Sequence, residues 1–273
     1  MKYDITASLV TYNNDITMLK KTIASFLNTN LNVKLSIIDN SPSDNLKILK
    51  NINTQKIEYT HNPTNPGFGT AHNIAIKENL NNTLYHLILN PDIYFEENVN
   101  EEIITFLEKN IEVGVLMPKI VYPDNSTQFV AKLLPTPFTF FVRRLIPIKS
   151  ILEKVNHKFE LRFTGYNKIM EVPYLSGCYL VIKTEALKKA GLFDENYFMH
   201  CEDIDICRTI INSGYKSVFY PKVKVVHAHE KKSMKSINNL KVYIKSMIYY
   251  FNKWGWFFDS KRKEINKNTL KQF

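Results

Sequence analysis

The chain has 273 residues, 44% hydrophobic and 23% charged, ordinary for a globular protein and enough for one large domain or two small ones. Its net charge of +10 is uneven: residues 230–273 hold 11 Lys/Arg against 3 Asp/Glu, which leaves +2 for residues 1–229. A near-neutral body argues against a nucleic-acid binder, whose charge would cover its working face. No uncharged apolar run reaches the ~18 residues of a membrane span, and the N-terminal segment lacks a signal-peptide core. Three cysteines (Cys178, Cys201, Cys207) form neither an even disulfide set nor a Cys-x-x-Cys pair, so a cytoplasmic protein is expected.

Along the first 120 residues strands alternate with helices. "DITASLVTY" (4–12) reads as a strand and "ITMLKKTIASFL" (16–27) as an amphipathic helix. "VKLSIIDNS" (33–41) is a second strand, Leu46–Leu49 a short helix and "KIEYTH" (56–61) a third strand. The turn Asn65-Pro66-Gly67-Phe68-Gly69 opens a helix over 68–79, followed by the strand "YHLILNPD" (85–92) and a helix around "VNEEIITFLEKN" (99–110). Such alternation predicts a mostly parallel sheet covered by helices, with ligands outside the carboxyl ends of the strands. Thr11, Tyr12, Asp39 and Asp92 all stand at such ends.

The second half is less regular. "VGVLMPKIVYPDNSTQ" (113–128) reads as an edge strand or hairpin, and 132–170 as an irregular aromatic stretch broken by Pro135, Pro137 and Pro147. Within it the segment 132–149, long and without strong periodicity, suits a functional loop that lines an acceptor site or touches a bilayer. A strand over 172–183, a short helix stopped by Gly191, a helix from Glu202 to Gly214, a final strand over 222–230 and an amphipathic helix over 240–254 follow.

Each chemical signal has a plain structural counterpart. Asp92, in Asn90-Pro91-Asp92, can hold a divalent ion whose other ligands are waters and phosphate oxygens, or can simply shape a turn. Gly67-Phe68-Gly69 is no dinucleotide fingerprint, since His72 replaces the third glycine, and no P-loop, so a Rossmann oxidoreductase is disfavoured. In "YFMHCEDIDICR" (197–208) the carboxylates cap a helix start, or one of them acts as a base favoured in its ionised form by the helix dipole. Asp205 has an i,i+3 partner in Arg208. His227 and His229 share one strand face, and either can ligate a metal, which would suit Mn2+ better than Mg2+.

In order, "VTYNN" (10–14), "IIDNS" (37–41), "NPGFGTAHN" (65–73), "LNPD" (89–92), "LSGCYLVIK" (175–183), "GLFDENYFMHCEDIDICRTIINSGY" (191–215) and "VVHAHE" (225–230) resemble the inverting family-two glycosyltransferases. The branch most similar is the bacterial rhamnosyltransferase-like one that builds cell-surface polysaccharide. The resemblance runs from about residue 3 to 230, and its most specific part is 191–215.

It implies an α/β fold of GT-A type: a Rossmann-like, mostly parallel central sheet flanked by helices, with a C-terminal helical extension. Residues 1–230 would be the transferase domain, with a nucleotide-sugar half to about 120 and an acceptor half beyond, and 231–273 the tail. By position, Thr11, Tyr12, Asp39, Asn65, Gly67, Asn73 and Asp92 would bind the nucleotide-sugar, and Asp92 with His227 the metal, Mn2+ or Mg2+. Asp203 would be the catalytic base and Glu202 a carboxylate that positions the acceptor. Position 90 is Asn where the family's metal motif has Asp, and His200-Cys201 stand where the branch often carries an aromatic residue.

The implied reaction moves rhamnose from dTDP-rhamnose onto a glycan or lipid-linked glycan. A UDP-glucose or UDP-galactose transferase and a catalytically silent nucleotide- or glycan-binding protein are the rival readings. The tail interleaves Lys with Tyr243, Tyr249, Tyr250, Phe251, Trp254, Trp256, Phe257 and Phe258. It reads either as a membrane-surface contact, peripheral on the inner face of the cell membrane, or as a helix packed on the catalytic domain or on a second subunit of a homo-oligomer.

Overall fold

Residues Ile5 to Leu9 are buried on both faces of their strand, which marks that strand as central in a covered sheet. The structure, a computed structural model, describes residues 2–146, 148–228 and 237–273. Its strands are β1 (Tyr3–Thr11), β2 (Val33–Asp39), β3 (Ile57–His61), β4 (Thr83–Leu89), β5 (Ile93–Tyr94) and β6 (Val113–Val121). They continue with β7 (Ala131–Lys132), β8 (Met170–Glu171), β9 (Tyr174–Leu175), β10 (Tyr179–Lys183) and β11 (Lys216–His227). The helices are α1 (Ile16–Leu27), α2 (Phe68–Asn79), α3 (Val99–Lys109), α4 (Pro137–Leu145), α5 (Lys149–Phe159), α6 (Thr184–Ala190), α7 (Glu202–Asn212), α8 (Ile237–Trp254) and α9 (Ser260–Leu270).

The main sheet runs β3-β2-β1-β4-β10-β6-β11-β5, with β8 pairing on β11. β3, β2, β1 and β4 are parallel, as are β6 and β11, while β10 enters antiparallel between β4 and β6. Register puts Thr11 opposite Asp39 and Asp39 opposite His61, so three strand ends share one edge. This is the α/β architecture expected from the alternation of periods.

Three local expectations are corrected. The segment 113–121 is an interior strand and not an edge, while the hairpin expected with it forms beyond it, Val121 bridging Thr127 around the turn at 122–126. At Pro118 β10 no longer pairs with β6, and the β11 register breaks just after Tyr220 opposite it. Residues 132–170 are not irregular: Thr136 accepts a hydrogen bond from Thr139 N, and Pro137 occupies the first turn of α4, where a missing N–H costs nothing. The final strand starts at Lys216, with a register break between Tyr220 and Lys224 around Pro221.

His72, at the position of the absent fingerprint glycine, is a core residue. Its Nδ1 meets Ser8 Oγ at 2.6 Å, and Ser8 Oγ meets His86 Nε2 at 2.9 Å. Burial holds both imidazoles far below their usual range, His86 near 3, so they sit neutral inside the sheet layer.

The tail packs on the catalytic body. Met247, Tyr250 and Phe251 of α8 join Leu134, Phe140, Tyr197, Cys201 and Ile204 in a second apolar cluster. Asp205 does not pair with Arg208. It accepts from Lys253 Nζ (2.8 Å) and Trp254 Nε1 (2.6 Å), while Arg208 reaches Asp259 at 2.7 Å in an almost fully buried ion pair. Asp259 also caps α9, accepting from Arg262 N at 2.9 Å. The helix-to-body docking therefore rests on charges that cannot be satisfied apart. Asp259→Ala should lower the unfolding free energy by about 3–5 kcal/mol, because it strands a buried guanidinium, as read by urea denaturation. A loss below ~1 kcal/mol would mean that water replaces the carboxylate.

Candidate active site

The strand-end carboxylate of β2 is built in rather than presented. Asp39 is buried and accepts from Thr11 Oγ1 (3.1 Å), Ser41 N (3.0 Å) and Tyr59 OH (2.7 Å). Burial, then the hydrogen bond to Asp39, raises the Tyr59 hydroxyl above its usual range. Thr11 is likewise buried, whereas Tyr12 is half exposed and Asn65 partly so, in a left-handed turn (φ 45°) before α2.

Gly67 and Asn73, expected at the nucleotide-sugar, also make structural contacts. At Gly67 (φ 104°) a Cβ would collide with the carbonyl of Phe198, which accepts from Phe68 N at 2.9 Å. Asn73 is buried and spends both ends of its amide on the Phe193 backbone, donating to its carbonyl (2.8 Å) and accepting from its N–H (3.1 Å). These residues fasten α2 to the loop before α7. The Asn73 side-chain amide and the Phe68 N–H are both spent on that loop.

Asp92 and His227 do meet. β5 pairs antiparallel with the end of β11, Ile93 opposite His227, and Ala228 N donates to the Asp92 carbonyl at 2.9 Å. The Asp92 carboxylate, partly exposed, lies with Oδ1 3.2 Å from His227 Nε2. Gln128, buried, orients the ring: its Nε2 donates to the His227 carbonyl (2.8 Å), which turns its Oε1 onto Nδ1 at 2.9 Å. Nδ1 must then carry the hydrogen, and the Nε2 side faces the carboxylate. A lone pair and a carboxylate at that separation repel unless a proton or a metal ion stands with them.

Among the described residues no group of three His, Cys, Asp or Glu converges, so an ion here would take most of its ligands from water and phosphate oxygens. One carboxylate and one imidazole fit that use, and Asn90 Oδ1, two residues before Asp92, is buried without a partner. His229 lies outside the described residues.

Glu202 and Asp203 open α7 after two consecutive left-handed residues, His200 (φ 70°) and Cys201 (φ 72°). Such backbone is strained for side-chain-bearing residues and is held here by the Cys201 and Tyr197 packing beneath it. Asp203 accepts from Ile204 N (2.8 Å) and from Gly177 N (3.1 Å). The second bond explains why the run 172–183 is two strands, β9 and β10, and not one: the chain bends at Ser176-Gly177 and turns an amide to the carboxylate.

Burial raises both carboxyls. In Asp203 the N–H of Gly177, the Lys132 ammonium and the N–H of Ile204 oppose that rise. Glu202 has a buried Oε2 without a partner, and burial together with the Asp203 charge pushes it up to about 8. Glu202 is thus pushed toward its protonated form, and the two carboxyls titrate as a pair.

Glu202, Asp203 and His227 line one cleft of about 570 Å3. Its walls include Gln128, Lys132, Arg143, Tyr174 and Arg162, which motif reading did not single out. Lys132 and Arg143 fall in the stretch 132–149, whose length without periodicity marks a functional loop; Gln128 carries no such signal. Glu160 binds Arg143 and Arg162 at 2.6 Å each, and Lys132 is lowered by burial and by Arg143. The cleft thus combines one carboxylate base candidate with several cations.

Raising Glu202 from an ordinary 4.5 to about 8 makes its contribution to stability full below about 4.5 and lost as pH rises through about 8. Glu202→Gln removes that dependence. Wild type should therefore lose more melting temperature than Glu202→Gln between pH 6 and 9, by roughly 2–4 °C for each ~1 kcal/mol. Parallel melting curves would show that Glu202 is already ionised in the fold.

Comparison with known proteins is consistent across methods. The model of the family described as Glycosyl transferase family 2 matches residues 7–190. An N-acetylglucosaminyl-diphospho-decaprenol L-rhamnosyltransferase of Mycobacterium tuberculosis is 27% identical over 150 residues, 52% of this chain and 46% of that protein. The chain thus matches less than half the length of that relative. Rhamnosyltransferase WbbL of Escherichia coli is 23% identical, over 59% of this chain and 60% of its own.

Among solved structures, S. aureus TarS 1–349 in complex with UDP superposes with a TM-score of 0.61 at 14% identity, covering 98% of this chain and 70% of that one. GalNAc-T7 with UDP, GalNAc and Mn2+ gives 0.65 at 15% identity, covering 92% and 49%. Both likenesses establish the GT-A fold.

Proposed function

The chain belongs to glycosyl transferase family 2, and on that premise we propose that it is an inverting transferase moving a sugar, rhamnose from dTDP-rhamnose, onto a glycan or lipid-linked glycan acceptor. The observation that carries this reading is the shared cleft: Asp203, a carboxylate held by two N–H donors at one helix start, and His227, which meets Asp92 at a strand end, line the same space. The relatives' rhamnosyl chemistry supports the choice of sugar.

In this reading the donor's nucleotide rests at the ends of β1 and β2, where Tyr12 and Asn65 are accessible and Asp39 stiffens the floor. Asp92 and His227 hold Mn2+ or Mg2+, with Gln128 fixing the imidazole tautomer. The ion, when bound, supplies Lewis-acid neutralisation of the pyrophosphate charge. Asp203 accepts the proton of the acceptor hydroxyl as that oxygen attacks the anomeric carbon from the side opposite the nucleotide. Glu202, pushed toward its protonated form by burial and by the Asp203 charge, stands beside it. Lys132 and the arginines face the acceptor.

UDP in the two superposing structures keeps a UDP-hexose donor as the second reading. Calorimetric titration of the full chain with dTDP, UDP and GDP, with and without Mn2+, separates the two. Metal-dependent dTDP binding that weakens in Asp92→Ala is expected; preference for UDP replaces rhamnose but keeps the class, and no nucleotide binding overturns the donor site. Asp203→Asn should cut turnover by roughly 10²–10⁴-fold with donor affinity kept. An unchanged rate removes Asp203 from the reaction and supports a different base.

A further inference from the structure

A second cavity lies outside the catalytic cleft and takes no part in the reaction described. It is a groove of about 770 Å3 between α5 and α9, floored by Leu133, Leu134, Val155, Phe159 and Leu270. Five lysines rim it: Lys154 and Lys158 from α5, Lys263, Lys267 and Lys271 from α9. The α9 residues Lys263, Asn266, Lys267, Leu270 and Lys271 recur at helical spacing, so one whole face of that helix is turned to the groove. No acidic side chain lines it, and among the described residues none of the five lysines pairs with a carboxylate.

Apolar floor and cationic rim together select an amphiphile. A purely apolar ligand would leave five ammonium groups without counter-charge, and a simple anion would leave the floor uncovered. The groove also adjoins the catalytic cleft. Thr139 and Phe159 line both cavities, and Leu133 N donates to the Phe159 carbonyl at 2.9 Å, so the two share a wall. At its mouth the α4–α5 hairpin exposes Phe138, Phe141, Ile148 and Ile151, an apolar lip beside the rim.

We propose that this groove is the tail subsite of the acceptor: it holds the hydrocarbon chain of a single-chain, phosphate-headed lipid whose sugar end enters the catalytic cleft. The inference rests on the glycosyl-transfer reading for what happens to that sugar end, and on the groove alone for the lipid. The chain lies along Leu133, Val155 and Leu270, the phosphate meets the lysine rim, and the wall at Thr139 and Phe159 directs the head toward Asp203.

The test is calorimetry on the full chain with dodecyl phosphate below its micelle concentration, beside inorganic phosphate and dodecyl maltoside. Saturable one-to-one binding of dodecyl phosphate is expected, at least tenfold tighter than either comparison. It should fall tenfold or more in Val155→Trp, which fills the groove, and in Lys158→Glu/Lys267→Glu, which reverses two exposed rim charges. Nucleotide titration of the same variants should be unchanged. Equal affinity in wild type and both variants overturns the subsite, as does equal affinity for the maltoside. Binding confined to phosphatidylglycerol vesicles overturns it in favour of a membrane-surface contact. Lipid binding without nucleotide binding keeps the groove and discards the transferase reading; the converse discards the groove alone.

Discussion

Two backbone pairings at the end of β11, Val226 with Tyr94 and His227 with Ile93, are what the candidate site depends on. Asp92 leaves β4 in the middle of the sheet, yet β5 takes its place at the far edge, beyond β10, β6 and β11. The chain can cross only because β10 and β6 pair over so few residues at that end. Once β5 is seated, the Asn-Pro-Asp turn is drawn over the strand tips and its carboxylate is delivered to the imidazole. The polar pair is thus a by-product of ordinary ladder bonds, and Gln128 completes it by gripping the same histidine at both backbone and ring.

The other half of the cleft is held from behind. α7 carries Glu202 and Asp203 toward the cavity, and on its reverse Asp205 and Arg208 reach into the tail. Lys253 spans Asp194 and Asp205, and Asn266 exchanges two hydrogen bonds with the Leu134 backbone. The tail's aromatic residues are therefore divided. Tyr250 and Phe251 are buried as a helix packed on the body, while Phe257 and Phe258 stay exposed. Of the two readings of the tail, the packed helix describes Tyr250 and Phe251.

Sequence order carried much of this. Hydrophobic period found β1 to β4, and strand ends pointed to Asp39 and Asp92 before any coordinates. What it could not distinguish was a side chain at a pocket from one beneath it. Asp39 accepts from Tyr59, and Asn73 holds the Phe193 backbone, contacts that spacing along the chain does not reveal. Nor could spacing reveal that Pro137 begins a helix, because its cap depends on the Thr136 rotamer. Partner choice for Asp205 was missed for the same reason: an i,i+3 neighbour was visible, while Lys253 and Trp254 arrive from 48 and 49 residues away.

The clasp between α2 and the segment 193–198 has a consequence for timing. Phe68 N on the Phe198 carbonyl, Asn73 on Phe193 and Lys77 on Glu195 join α2 to the loop that leads into Glu202 and Asp203. With so many fastenings, the two halves move as one piece. Whichever substrate arrives first finds the other's station already in place, so any ordering of arrivals must originate in the substrates' own contacts and not in assembly of the protein beneath them.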